Sequence, residues 1–172
     1  MKKVIISMVL ATALILFAGC GVLLNDDSVA QDKIVLYVNT DYEILESFPY
    51  DELQKIKETY YGYGKSIDEK EEGEKKEKAL IEKHLGIDTI VKSVYAYNEN
   101  LIEFSCGGSG MLNHSTYTGF YYSKEDMPHA LSFDGCELIE TEPGVFEWED
   151  ERHKVYTEKI RDNWYYYFLQ WI

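Results

Sequence analysis

Trp164-Tyr165-Tyr166-Tyr167-Phe168-Leu169-Gln170-Trp171-Ile172 closes the chain, and its reading decides the fold. Every side chain except Gln170 is apolar or aromatic, so a strand here is apolar on both faces. Such a strand either lies centrally in a sheet covered on both sides or carries an exposed aromatic face. Strand patterns recur upstream of it. Lys154 to Ile160 precedes it across Arg161-Asp162-Asn163, and Val145 to Trp148 and Glu137 to Glu140 flank the turn Glu142-Pro143-Gly144. Ser115 to Ser123 ends at Lys124-Glu125-Asp126-Met127-Pro128. Thr89 to Tyr97 and Leu101 to Cys106 read as a hairpin around Asn98-Glu99-Asn100, followed by a flexible Gly107-Gly108-Ser109-Gly110 loop.

Upstream of Gly86 the pattern is helical. Leu80, Ile81, His84 and Leu85 share one face, Gly86 suits the position after a helix end, and the charged stretch Asp68 to Lys78 reads as the solvated start of that helix or a linker into it. Tyr50 to Tyr61 carries Leu53, Ile56 and Tyr60 at helical spacing and is broken by Tyr60-Tyr61-Gly62-Tyr63-Gly64. Lys33 to Asn39, with Ile34, Val35, Leu36, Tyr37 and Val38, reads as a first strand. The expectation is an α+β domain over residues 33–172: an N-terminal strand and one or two helices packed on a mainly antiparallel meander of about six or seven strands.

The N-terminus says where the protein works. Lys2 and Lys3 precede an apolar run from Val4 to Phe17, and Ala18-Gly19-Cys20 follows: a basic region, an apolar region and small residues before a cut. Phe17-Ala18-Gly19-Cys20 resembles the lipobox of bacterial lipoproteins, with Phe17 where leucine is usual. The resemblance covers only this segment. It implies that residues 1–19 are a signal peptide, that Cys20 carries diacylglycerol through a thioether, and that 20–32 are a tether. Several acyl chains on one cysteine hold a protein firmly, whereas one binds marginally. The apolar stretch through Leu24 would also serve as an uncleaved anchor, since ~20 apolar residues span a bilayer. Both readings put the domain outside the cytoplasm, at the cell membrane.

The net charge is −14, two units more negative once Lys2 and Lys3 leave with the leader. This argues against nucleic acid and anionic lipid surfaces as partners and is compatible with a basic one. After lipidation Cys106 and Cys136 remain. An even pair outside the cytoplasm favours a disulfide closing a loop of ~30 residues, against the alternative of two reduced thiols.

Catalytic patterns are incomplete. Gly107-Gly108-Ser109-Gly110 lacks the Lys-Ser/Thr of a phosphate loop, and Met111 stands where a nucleophile elbow needs its second glycine. His84, His114, His129 and His153 have no ligand spacing, so no metal and no cofactor is expected. His114, Asp126 and His129 flank one strand and form the least poor acid–base group. Glu147, Glu149, Asp150 and Glu151 surround Trp148, and a hydrolase of wall glycan or peptide would draw on one of these sets. The compositional oddity is the 15 tyrosines, many in pairs and triples. Tyrosine and tryptophan supply stiff contact area with a polar tip. The expected function is therefore a membrane-tethered, non-enzymatic binding module. Its contact surface includes Tyr121, Trp148, Tyr165 and Tyr167, and its partner is an extracytoplasmic protein, peptide or glycan. An immunity-type inhibitor of a cationic partner and a wall hydrolase are the alternatives.

Overall fold

The computed structural model describes residues 29–61, 63–111, 114–133 and 135–171, with Met111 and His114 described by backbone alone. Among the described residues three helices, α1 (Gln31–Glu46), α2 (Tyr50–Tyr60) and α3 (Ile67–Leu85), precede seven strands. These are β1 (Ser93–Asn98), β2 (Leu101–Met111), β3 (His114–Ser123), β4 (Ile139–Glu142), β5 (Val145–Glu149), β6 (His153–Arg161) and β7 (Trp164–Trp171). The fold is α+β on an antiparallel sheet, as the sequence predicts. The expected signal segment and most of the expected tether lie outside the described residues. Among those described, no helix is long and apolar enough to cross a membrane.

The expected first strand is a helix. Ile34, Val38 and Leu45 are fully buried along one stripe of α1, while Leu36 is exposed. Spacings of four and seven put those three on one helical face; in a strand Ile34 and Val38 would share a face but Leu45 would not. Burial thus overrides the β-branched run. Packing also starts before residue 33, since Val29 already lies against the core. The charged stretch Asp68–Lys78 is helical, the front of α3. Ser66 caps it: Oγ accepts from Glu69 N at 3.3 Å, and the Glu69 carboxylate accepts from Ser66 N at 2.9 Å. Gly86 ends α3 with φ of +89°, a conformation that favours glycine.

The glycine run is not a loop either. Gly107–Gly110 continue β2, paired with Ser115–Thr118 of β3, after a bulge between Ser105 and Gly107. The sheet order is β1-β2-β3-β7-β6-β5-β4, so the strands form two meanders joined where β3 pairs with β7, not one. The chain leaves β3 and crosses by residues 124–138 to the far edge, where β4 begins. β7 is hydrogen-bonded to β3 on one side and β6 on the other, the central of the two places its composition allows. The helices cover one face, over Val94, Phe104, Cys106, Phe120, Trp164 and Tyr166. Phe104 and Phe120 stack there at 4.8 Å.

Candidate functional site

The opposite face of the sheet carries the three tyrosines assigned to a contact surface, and all three are covered. Tyr121, Tyr165 and Tyr167 are buried, together with Val155 and Leu169, beneath Leu131, Phe133 and Leu138 of the 124–138 crossing. The hydroxyls of Tyr121 and Tyr165 hold that crossing down. Tyr121 Oη accepts from His129 N at 2.8 Å and donates to Thr157 Oγ1 at 2.9 Å, whose own proton goes to Tyr166 O. Tyr165 donates to Asp126 O at 2.8 Å. Tyr167 reaches over Gly119 to donate to Glu103 at 2.6 Å, and Tyr97 donates to the other oxygen of the same carboxylate at 2.7 Å. Burial pushes all these phenols well above their usual range. Phenols so placed are anchors, and the contact surface read from the sequence does not extend to Tyr121, Tyr165 or Tyr167. The physical reason is the crossing, whose destination no local pattern announces.

Trp148, the fourth assigned residue, has a different fate. At the end of this face where β5, β6 and β7 meet, Phe133 of the crossing and three rings of the sheet remain partly exposed. Trp148 lies near-parallel to His153 at 6.4 Å, and Phe133 stands 5.7 Å from Trp148. Trp171 packs at 5.4 Å from His153 and 6.1 Å from Phe133, with 45% of its surface exposed. The register sets this patch, since His153 pairs with Trp171 and Trp148 with Val155 on neighbouring strands. Asp150 fixes the imidazole: its Oδ1 lies 3.0 Å from His153 Nδ1 and accepts from the Arg152 and His153 amides at 2.7 Å. Those contacts, the Arg152 amide first, hold the Asp150 carboxyl below its ordinary range. Exposed Glu149, Asp150, Glu151 and Arg152 rim the patch. Phe133, His153 and Trp171 were not singled out in the sequence, although alternation along β6 and β7 puts the latter two on one face.

A cleft of about 780 Å³ opens elsewhere, between α2, α3 and the edge strand β1. Lys57 of α2 crosses it to Glu77 of α3 at 2.6 Å, and its ammonium lies 4.6 Å from the Tyr95 ring and 5.1 Å from that of Tyr61. The buried Glu77 carboxylate also accepts from Tyr61 Oη at 3.3 Å and Val94 N at 3.4 Å. Desolvation, reinforced by Glu77, pushes the Tyr61 phenol up to about 12. Sequence reading missed this cleft because its residues come from three separate segments.

No family model, no curated protein and no solved structure matches this chain.

The remaining sequence candidates are dispersed. Asp126, just past β3, forms an ion pair with Lys159 at 2.6 Å and accepts from Asn163 N at 2.8 Å, which holds its carboxyl below the ordinary range, Lys159 foremost. His129 is half-buried with Nε2 3.2 Å from Ser123 Oγ, and burial pushes its imidazole down. The His114 side chain lies outside the described residues. Glu147 pairs with Tyr156 on the helix-covered face, opposite to Trp148. Among the described residues no group of His, Cys, Asp and Glu is placed to hold a metal ion. Cys106 and Cys136 are not bridged here. Cys106 lies in the core beneath the helices, whereas Cys136 sits in the crossing with Leu131, Phe133 and Leu138, on the other side of the sheet.

Proposed function

We propose that this chain is a lipoprotein anchored through Cys20 outside the cytoplasm. It acts as a non-enzymatic binding module through the Phe133, Trp148, His153 and Trp171 patch. The observation that carries the reading is the survival of these rings at the surface of a face otherwise roofed by the 124–138 crossing. Rings pinned by their neighbours lose little entropy on binding and offer planar apolar area. The acidic rim and the net charge of −14 favour a basic protein or peptide over a neutral glycan. The immunity-type reading is the form of this function in which steering dominates.

Two measurements test it. Metabolic labelling with an alkyne palmitate should tag the wild type, and Cys20→Ala should lose both label and membrane association; a labelled C20A protein removes the anchor at that residue. For the surface, Trp148 and Trp171 sit in the patch while Trp164 is buried, so tryptophan fluorescence reports occupancy. A panel of cationic extracytoplasmic enzymes and wall fragments should include a ligand whose binding perturbs that emission. The Trp148→Ala/Trp171→Ala double variant should bind it at least tenfold more weakly with its melting transition retained. Affinity that falls steeply with salt marks the steered, immunity-type form, and salt-insensitive binding marks contact by the rings. Turnover of a wall fragment that His129→Ala or Glu147→Gln abolishes would replace the proposal with the hydrolase.

A further inference from the structure

We propose that the cleft between α3 and β1 receives an extended, uncharged peptide segment, which adds to β1 as an eighth strand of the sheet. The two sheet edges are unlike. β4 is four residues long, wholly exposed and carries Glu140 and Glu142, the short charged form that discourages strand addition. β1 is six residues, Ser93-Val94-Tyr95-Ala96-Tyr97-Asn98, with no charge in it. It borders the cleft of about 780 Å³, whose volume suits a bound segment.

The polar groups are arranged for a peptide backbone. Val94 N–H, within the edge strand, is met by a carboxylate oxygen of Glu77 at 3.4 Å. That is longer than a good N–H to O bond of ~2.9 Å, so an incoming carbonyl would satisfy the amide better. Lys57 already balances Glu77 and leaves the carboxylate paired when Val94 changes partner. Specificity falls to alternate side chains, as in other strand additions. Side chains that point into the cleft meet Ile81, Val91 and the half-exposed ring of Tyr95, which selects aliphatic residues there.

Charge decides between occupants. Three lysines and three glutamates line the cleft, so it is a balanced window in a chain of net charge −14. A neutral dipolar backbone complements such a lining, whereas a free anion or cation meets as much repulsion as attraction. A second copy brings its own −14 to the edge and is repelled. This site is independent of the aromatic patch, which lies at the other end of the strand order.

The experiment uses the full chain in detergent micelles and a randomised dodecapeptide display library. Enriched sequences should carry alternating aliphatic residues, and a synthetic copy should slow hydrogen exchange at the β1 amides, Val94 included. N-methylation of alternate peptide residues in one register should weaken binding at least tenfold, and the other register should be tolerated; this readout leaves the protein unaltered. Tyr95→Ala should weaken the same peptide while W148A/W171A should not. Four results would overturn the proposal. They are a library that yields no enriched sequence, affinity indifferent to N-methylation, a footprint confined to the aromatic patch, and a concentration-dependent dimer that protects β1 without peptide.

Discussion

A glycine shows how much one residue decides here. A Cβ on Gly119 would stand 2.2 Å from Phe104 O and 2.8 Å from the Tyr167 ring, so only a bare backbone lets Tyr167 lie across β3 and reach Glu103. Gly119→Ala should cost about 1–3 kcal/mol, the scale of an overpacked core, read as a lowered urea midpoint at unchanged slope. Tyr121→Phe keeps the ring but leaves the His129 amide without its acceptor, and about 1–3 kcal/mol should be lost. Asp126 adds a pH dependence. Its folded carboxyl is held low by Lys159 and the Asn163 amide, so its contribution is fully present above the ordinary aspartate value of ~3.9. It is lost as pH falls through the lowered folded value. Asp126→Asn should flatten that part of the acid limb in urea melts taken from pH 6 downward; an unchanged limb would mean the contacts carry no linkage. At this scale the sequence was half legible. The tyrosine excess is plain in Tyr121-Tyr122 and Tyr165-Tyr166-Tyr167, but whether a phenol faces water or a buried carboxylate depends on partners 36 to 64 residues away.

Elements were legible where local and tertiary preferences agree. Gly86 ends α3 as its place in the sequence announces, whereas the cap that Ser66 and Glu69 form within four residues at the other end was written nearby but went unread. Ser66→Ala should cost about 1 kcal/mol, seen as a lower melting midpoint. Agreement failed at α1, where Ile34, Val35 and Val38 favour a strand locally and only the distant Leu45 and the sheet beneath require a helix. It failed again at Gly107–Gly110, whose weak strand preference is outweighed by pairing with β3. Gly73 brings the two levels into conflict. Alanine would gain about 1 kcal/mol of helix propensity there, but its Cβ would lie 2.5 Å from Cβ of Tyr60, where α3 meets α2. Overpacking of about 1–3 kcal/mol should win, so Gly73→Ala is expected to melt below wild type despite being the better helix former.

The whole molecule is two three- or four-stranded meanders fastened along β3 and β7, with the helices on one face and the 124–138 crossing on the other. The C-terminal run admitted two places, central and covered on both sides or with an exposed aromatic face, and β7 takes the first. The order of the strands was not announced, because a meander that stays in sequence and one that crosses have the same alternation. The patch at Trp148 and the cleft at β1 both follow from that order, which sets where cover ends and which strand is left at an edge. Cys106 tests the coherence of the assembly. It sits fully buried in the core that β2, β3, β7 and the helices enclose, and burial pushes its thiol far above the reactive range. Thiolate is the nucleophile, so a maleimide should not modify Cys106 in the folded chain. No local opening of a single loop exposes it, because its cover comes from both meanders and the helical layer together. Labelling of Cys106, followed by peptide mass across a urea series, should therefore rise with the same midpoint as tryptophan emission. Labelling well below that midpoint would show that the helical layer lifts off the sheet as a separate unit.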